Sequence, residues 1–205
     1  YEHRFEQYDL YMERPEPLVP RPLRFEVPER VAADGEVLLP MQESALDAIG
    51  AAAKAEGVEA LAICFLHAYQ NDAHERRARE ILSRYLPAEV IAISSEVCPE
   101  IREYERTSTT VANAYVLPLM ESYLRRLEDG LKALGSTCPL LLIMSSGGIT
   151  TIETARRFPI RLVESGPAGG AILAQILAAE NGIPRALAFD MGGTTAKITL
   201  IEDFA

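Results

Sequence analysis

Residues 187–198 read Leu187-Ala188-Phe189-Asp190-Met191-Gly192-Gly193-Thr194-Thr195-Ala196-Lys197-Ile198. An apolar run reaches an aspartate, passes two glycines and then alternates, with Ala196, Ile198 and Leu200 on one side and Thr195, Lys197 and Thr199 on the other. Such alternation beyond a Gly-Gly pair predicts a β-hairpin. Paired glycines accept positive φ and carry no Cβ, so successive amides of the turn can point inward around an anion. Thr194 and Thr195 add hydroxyls, Lys197 adds a cation, and Asp190 adds a carboxylate able to hold magnesium directly or through water. These are the groups that a nucleotide phosphate with its metal requires. The competing reading of the same residues is an ordinary hairpin with polar flanks.

Two further glycine-bearing stretches lie upstream. Ser145-Ser146-Gly147-Gly148 follows the apolar run Leu140–Ile143, and Ser165-Gly166-Pro167-Ala168-Gly169-Gly170 leads into a predicted helix, Ala168–Glu180, that stops at Asn181-Gly182. Ligands of doubly wound sheets gather at the carboxyl ends of strands, and helix N-termini attract anions. Three such stretches, with Asp190 and Lys197 beside the last, predict a nucleotide cleft. Ser145 and Ser165 are poor nucleophile candidates, since neither sits in a G-x-S-x-G elbow and no histidine follows either one.

The rest of the chain alternates strand and helix patterns. Short strands are expected at Tyr8–Met12, at Leu23–Val27 after a proline-rich connector, and at Glu36–Leu39 beyond a turn at Asp34-Gly35. A helix over Ser44–Glu56 precedes an apolar run, Glu59–Leu66, of the kind found in buried parallel strands. Asn71 caps a second helix that Pro87 ends, and Val90–Ile93 is the next strand, completing a βαβ unit. Beyond it, Pro139–Met144 reads as a buried strand, Thr150 or Thr151 as the cap of a short helix through Arg157, and Arg161–Glu164 as a strand.

Between these lies a long helical pattern that Pro99 opens, that Pro118 breaks or kinks, and that ends at Gly135. Ile101, Tyr104, Ser108, Val111 and Tyr115 form its stripe in the first half, leaving Arg102, Glu103, Glu105, Arg106 and a threonine-rich run as surface. Charge pairing along that surface is poor, with Arg102 four residues from Arg106. This favours a place in a cleft or interface for Glu103, Arg106, Thr107 and Asn113 over a plain solvated face.

The 205 residues are 48% hydrophobic and 24% charged, with formal charge -10 and pI near 4.9. That excludes a broad nucleic-acid or anionic-membrane surface but not a local phosphate site. The three cysteines, Cys64, Cys98 and Cys138, are far apart and read as buried free thiols of a reducing cytoplasm. Cys64 and His67 point to opposite faces of a strand, so a metal site with His74 is not expected. No signal peptide or membrane-length apolar run occurs, and the start at Tyr1 without methionine reads as a piece of a longer protein.

The Asp190–Thr195 wording resembles a phosphate loop of the actin-like ATPase superfamily. With Glu164–Gly170 about 20 residues before it, and Glu103–Tyr115 upstream, the chain from about Leu38 to Ile201 resembles the hydantoinase A / oxoprolinase family. The resemblance implies an α/β actin-like (ribonuclease H-like) fold spanning parts of two lobes, with residues 1–112 ending an N-terminal domain and 113–205 beginning the next. It implies ATP and Mg2+ as cofactors, a cyclic amide or a ketone with bicarbonate as substrate, a hydantoinase B-like second subunit and a homo-oligomer. Asp190 would place magnesium or water, and Lys197 would balance charge. Gly192, Gly193, Thr194 and Thr195 would hold phosphate oxygens, with Ser165, Gly166, Gly169, Gly170, Ser146, Gly147 and Gly148 on the nucleotide side. Two departures stand out: no second Asp-x-Gly-Gly-Thr stretch occurs, and Ala196-Lys197 stands where many members carry Thr-Asp. Half of a two-lobed cleft is expected to be inactive by itself. A sugar or acyl kinase and a non-catalytic actin-like assembly protein are the rival readings.

Overall fold

The structure, a computed structural model, describes Tyr11 and residues 16–204. The strand expected at Tyr8–Met12 lies outside the described residues except for Tyr11, an exposed turn residue. The strand expected at Leu23–Val27 is absent. Pro20 and Pro22 bend the chain into a 3-10 turn, Arg21–Leu23, closed by the Leu23 amide donating to the Pro20 carbonyl at 3.0 Å. The turn at Asp34-Gly35 does form, with Gly35 at φ +91, and joins β1 (Arg30–Val31) to antiparallel β2 (Val37–Leu39).

The first half of the chain is a βαβ unit. β3 (Leu61–Ile63) and β4 (Ile91–Ile93) pair in parallel, Ile63 opposite Ile93. Helix α2 (Ala73–Leu82) packs on them, and α1 (Glu43–Ala55) packs on α2. Leu46, Ala53, Ile63, Ala78, Ile81, Leu82, Leu86, Ile91 and Ile93 form one buried cluster. Of the apolar run Glu59–Leu66 only three residues are strand, because the partner strand offers only three and the chain then turns at His67, φ +57. The N-cap of α2 is Asp72 and not Asn71, whose Oδ1, one position earlier, accepts from the Ala73 amide at 3.1 Å. The helix ends at Leu82, and turns fill the interval to Pro87.

Pro99 does not open the long helix. Ser94–Val97 forms a short α3, residues 98–102 are irregular, and α4 runs unbroken over Glu103–Ala133 with Pro118 inside it. The expected stripe is also displaced. Tyr104 and Tyr115 are 75% and 66% exposed, whereas Arg106, Thr110, Asn113, Ala114, Leu117 and Leu124 are buried. The first turns of α4 therefore turn a polar face inward.

Beyond α4, β5 (Leu141–Ile143) and β6 (Ile149–Thr151) form an antiparallel hairpin, with Leu141 and Ile143 about half exposed instead of buried. Thr151 caps α5 (Ile152–Arg157), its hydroxyl accepting from the Thr154 amide. A 3-10 turn, Pro159–Leu162, replaces the strand expected at Arg161–Glu164, since Pro159 fixes its own φ and Asn113 of α4 accepts from the Ile160 amide. α6 (Ser165–Glu180) then leads to β7 (Arg185–Met191) and β8 (Ala196–Glu202), which pair over seven residues as the opening stretch predicts. Lys197, Thr199 and Ile201 face inward on β8, while Leu187, Phe189, Met191, Ile198 and Leu200 form an exposed apolar face. Among the described residues, no helix is long and apolar enough to cross a membrane.

Leu124 is fully buried and joins α4 to Ile152 and Ala155 of α5. Leu124→Ala is expected to cost about 2–5 kcal/mol, read as a lowered urea midpoint at unchanged slope.

Candidate functional site

A cleft of about 340 Å³ opens between the start of α6 and the β7–β8 turn. Leu162, Glu164, Ser165, Gly166 and Pro167 line one side, and Asp190, Gly192, Thr195 and Lys197 the other. Two stretches about 20 residues apart in sequence thus meet across one cavity. The hairpin turn is closed by the Gly192 amide donating to the Thr195 carbonyl at 3.0 Å. Neither Gly192 nor Gly193 takes positive φ, contrary to the expectation from sequence. A Cβ on Gly193 would meet nothing within 4 Å and one on Gly192 only the Thr195 carbonyl, at 4.0 Å, so no close contact within the protein requires glycine at either position. Asp190 and Lys197 are cross-strand partners.

Lys197 forms an ion pair across the cleft with Glu164, a residue that sequence reasoning quoted but gave no role. Glu164 is the N-cap of α6 and takes the left-handed conformation, φ +69, which a residue with a side chain seldom adopts. The residues read as the Ser165–Gly170 loop are the first turns of α6 itself. Ser145 holds the approach to Glu164: its amide and hydroxyl both donate to the Arg161 carbonyl, at 2.8 and 2.9 Å, and the hydroxyl also contacts the Val163 carbonyl.

Other candidates lie off the cleft. Ser146, Gly147 and Gly148 sit at the β5–β6 turn, where a Cβ on Gly147 would come 3.0 Å from Ile172 of α6 and one on Gly148 3.0 Å from Met144. Gly169 packs against Ile143, and Gly170, Gly193 and Thr194 do not line the cavity. Gly147 and Gly169 let the β5–β6 hairpin sit close on α6, a packing need that looks the same in sequence as a phosphate loop.

The candidates on α4 divide. Arg106 is fully buried, and its Nε donates to Ser94 Oγ (3.1 Å) while its Nη atoms donate to the Glu100 carbonyl (2.7 Å) and the Phe65 carbonyl (2.8 Å). Ser94 in turn donates to buried Glu75 at 2.6 Å, and Glu75 also accepts from the Phe65 and Ser95 amides, each at 2.9 Å. Asn113, also buried, donates to the Arg157 carbonyl and accepts from the Ile160 amide, both at 3.2 Å. Glu103 is half exposed, 3.7 Å from Arg106. Thr107 and Thr110 lie beside the Cys64 thiol. Burial foremost, then the Glu75 charge, pushes that thiol up to about 11. Cys64 and Cys98 are half-buried and Cys138 is exposed, so the reading of three buried thiols fails at Cys138, which lies in the loop before β5. The ring nitrogens of His67 and His74 engage the Val31 carbonyl (2.9 Å) and Glu29 (2.8 Å).

Among the described residues, no three His, Cys, Asp or Glu side chains cluster as metal ligands. The cleft instead combines two carboxylates, one lysine, a threonine hydroxyl and an uncrowded glycine backbone, a donor set that fits a magnesium-bound phosphate chain better than a bare metal ion.

The family profile "Hydantoinase/oxoprolinase" matches residues 106–205, and "Hydantoinase/oxoprolinase N-terminal region" matches residues 1–86. An uncharacterised protein of Methanocaldococcus jannaschii is 43% identical over 95% of this chain, and the caprolactamase alpha subunit of Pseudomonas jessenii is 36% identical over 95%. The chain spans 28% of the length of each. The crystal structure of the ATP-dependent caprolactamase superposes with a TM-score of 0.83 at 33% identity, covering 98% of this chain and 29% of that one. Nucleotide-free acetone carboxylase superposes with a TM-score of 0.82 at 28% identity, covering 92% and 27%.

Two outcomes are expected. Arg106→Met should cost about 3–5 kcal/mol in urea unfolding, whereas Glu103→Gln should stay within about 0.5 kcal/mol. At pH 8 the native protein should lose Cys138 to a thiol reagent promptly, with Cys64 about 100-fold slower than a free thiol because so little of it is thiolate; mass spectrometry of the labelled peptides reads both.

Proposed function

The chain belongs to the hydantoinase/oxoprolinase family, and from that premise we propose that it is the nucleotide-side segment of an ATP-dependent enzyme that opens a cyclic amide. The observation that carries this reading is the cleft in which the start of α6 and the β7–β8 turn converge on Lys197. A family relationship to an ATP-dependent caprolactamase, a lactam-acting enzyme by name, supports the substrate class. We read the fold as part of an actin-like ATPase, with a boundary between residues 1–112 and 113–205 that falls inside α4.

In this reading the backbone at Gly192 and the hydroxyl of Thr195, which line the cleft, hold phosphate oxygens. The N-terminal amides of α6 at Ser165 and Gly166 face the same anion with the positive end of the helix dipole. Asp190 would hold a magnesium ion, directly or through water, and that ion would supply positive charge to the phosphates. Lys197 neutralises phosphate charge on leaving Glu164. ATP, when bound, supplies the phosphoryl group that activates the amide oxygen. The side chains that select the ring, and a second subunit of the hydantoinase B type, complete the enzyme.

A second reading has its own support in the superposition on acetone carboxylase: the same nucleotide chemistry would then activate a ketone and bicarbonate. ATP hydrolysis by the complete enzyme, with caprolactam, hydantoin or 5-oxoproline against acetone plus bicarbonate, separates the two. Stimulation by a cyclic amide is expected, and Asp190→Ala should lower it by about 100-fold or more. Stimulation by acetone plus bicarbonate alone would select the carboxylase reading. No stimulation by any of them would favour a kinase or an assembly ATPase.

A further inference from the structure

Away from Lys197, Glu96 of α3 lies at the centre of four arginines. Arg79 grips both of its carboxylate oxygens, at 2.8 and 3.1 Å. Arg76 donates at 3.0 Å and Arg157 at 2.9 Å, while Arg161 reaches the Glu96 carbonyl at 3.5 Å. Arg76 also pairs with Asp72 at 2.6 Å. Three guanidinium groups therefore face two carboxylates, with the Arg161 guanidinium on the Glu96 carbonyl beside them, a local positive excess in a chain of formal charge -10. Burial works against the Glu96 carboxylate, yet the bonds and charges of Arg79 and Arg157 hold it below the usual range, so it stays ionised near neutrality.

The outer arginines are held in place and open to solvent. The side chains of Arg76 and Arg157 are 52% and 61% exposed. The guanidinium carbons of Arg157 and Arg161 lie 5.0 and 4.5 Å from the centroid of the Phe158 ring. That ring is anchored against Ala92, Val97 and Ala114. Stacking on a fixed ring sets the guanidinium positions in advance, so little side-chain entropy remains to be lost on binding. Arg161 spends its charge on one long bond to a carbonyl among the described residues.

We propose that Arg76, Arg157 and Arg161 form an anion site, on the solvent side of Glu96, for a compact oxyanion of the phosphate type. Convergence of several planar forks on a single carboxylate suits one small, multiply charged group, and guanidinium pairs match phosphate oxygens two at a time. None of the three arginines lines the Lys197 cleft. Arg76 lies within the N-terminal family match and Arg157 and Arg161 within the second, with Glu96 between the two matches. An anion bound here therefore ties those two regions together.

The test is thermal unfolding of the full-length protein against inorganic phosphate and pyrophosphate, with chloride holding ionic strength constant. A saturable rise in midpoint is expected with pyrophosphate, and a smaller one with phosphate. Arg161→Gln, which gives up one weak bond, should raise the half-saturating concentration about tenfold. Arg157→Ala/Arg161→Ala should abolish the effect and Lys197→Ala should retain it. A non-saturable rise, an equal rise in the double variant, or a loss confined to Lys197→Ala would overturn the proposal. The last outcome would assign the anion to the Lys197 cleft, so the two sites are told apart.

Discussion

Arg106 brings a permanent positive charge into the interior, and the surrounding chain is arranged to satisfy it. A buried guanidinium is tolerated only when nearly every N–H has a partner. Here the partners are the carbonyls that end β3 and precede α4, together with Ser94, which passes the interaction on to buried Glu75. One side chain thus joins the β3 exit, the β4–α3 junction and the start of α4. Glu75 does the same from the other side by accepting two backbone amides at those junctions. The polar stripe continues with Thr110, whose hydroxyl returns to the Arg106 carbonyl at 2.7 Å, and with Asn113.

Asn113 carries the constraint forward. By holding the Arg157 carbonyl and the Ile160 amide it fixes the bend between α5 and the 3-10 turn. Ser145 fixes the same segment from the β5–β6 hairpin. Glu164 follows directly and faces Lys197. The cleft is thus assembled at the end of a chain of short polar contacts that begins in the βαβ core. Its two walls are a helix start and a hairpin turn, each short and each placed by neighbours.

The hairpin was readable because an apolar run before Gly-Gly and an alternating run beyond it have few other solutions. The βαβ unit was readable because apolar runs and helix stops are local signals. The inward face of α4 was not, since its first turns bury arginine, threonine and asparagine while two tyrosines face solvent. Periodicity counts apolar residues and cannot see a polar face whose bonds are all made inside. Poor charge pairing on that helix was the available signal, and it pointed Arg106 and Asn113 to a cleft or interface, whereas both face inward and bond backbone groups. Likewise Gly147 and Gly148 carry the composition of a phosphate loop but answer to contacts with Ile172 and Met144. Glu164 was hidden because an acidic residue at a helix start is common, and its left-handed backbone and its pairing with Lys197 show only in the structure.

The central claim is that the α6 start and the β7–β8 turn together receive the phosphates of a nucleotide. The most direct measurement is a crystal structure of the complete protein with a non-hydrolysable ATP analogue and magnesium. The expected result is phosphate density between Gly166 and Gly192, with Lys197 released from Glu164 toward the phosphates. Nucleotide bound elsewhere, with the Glu164–Lys197 pair still closed over the cleft, would contradict it.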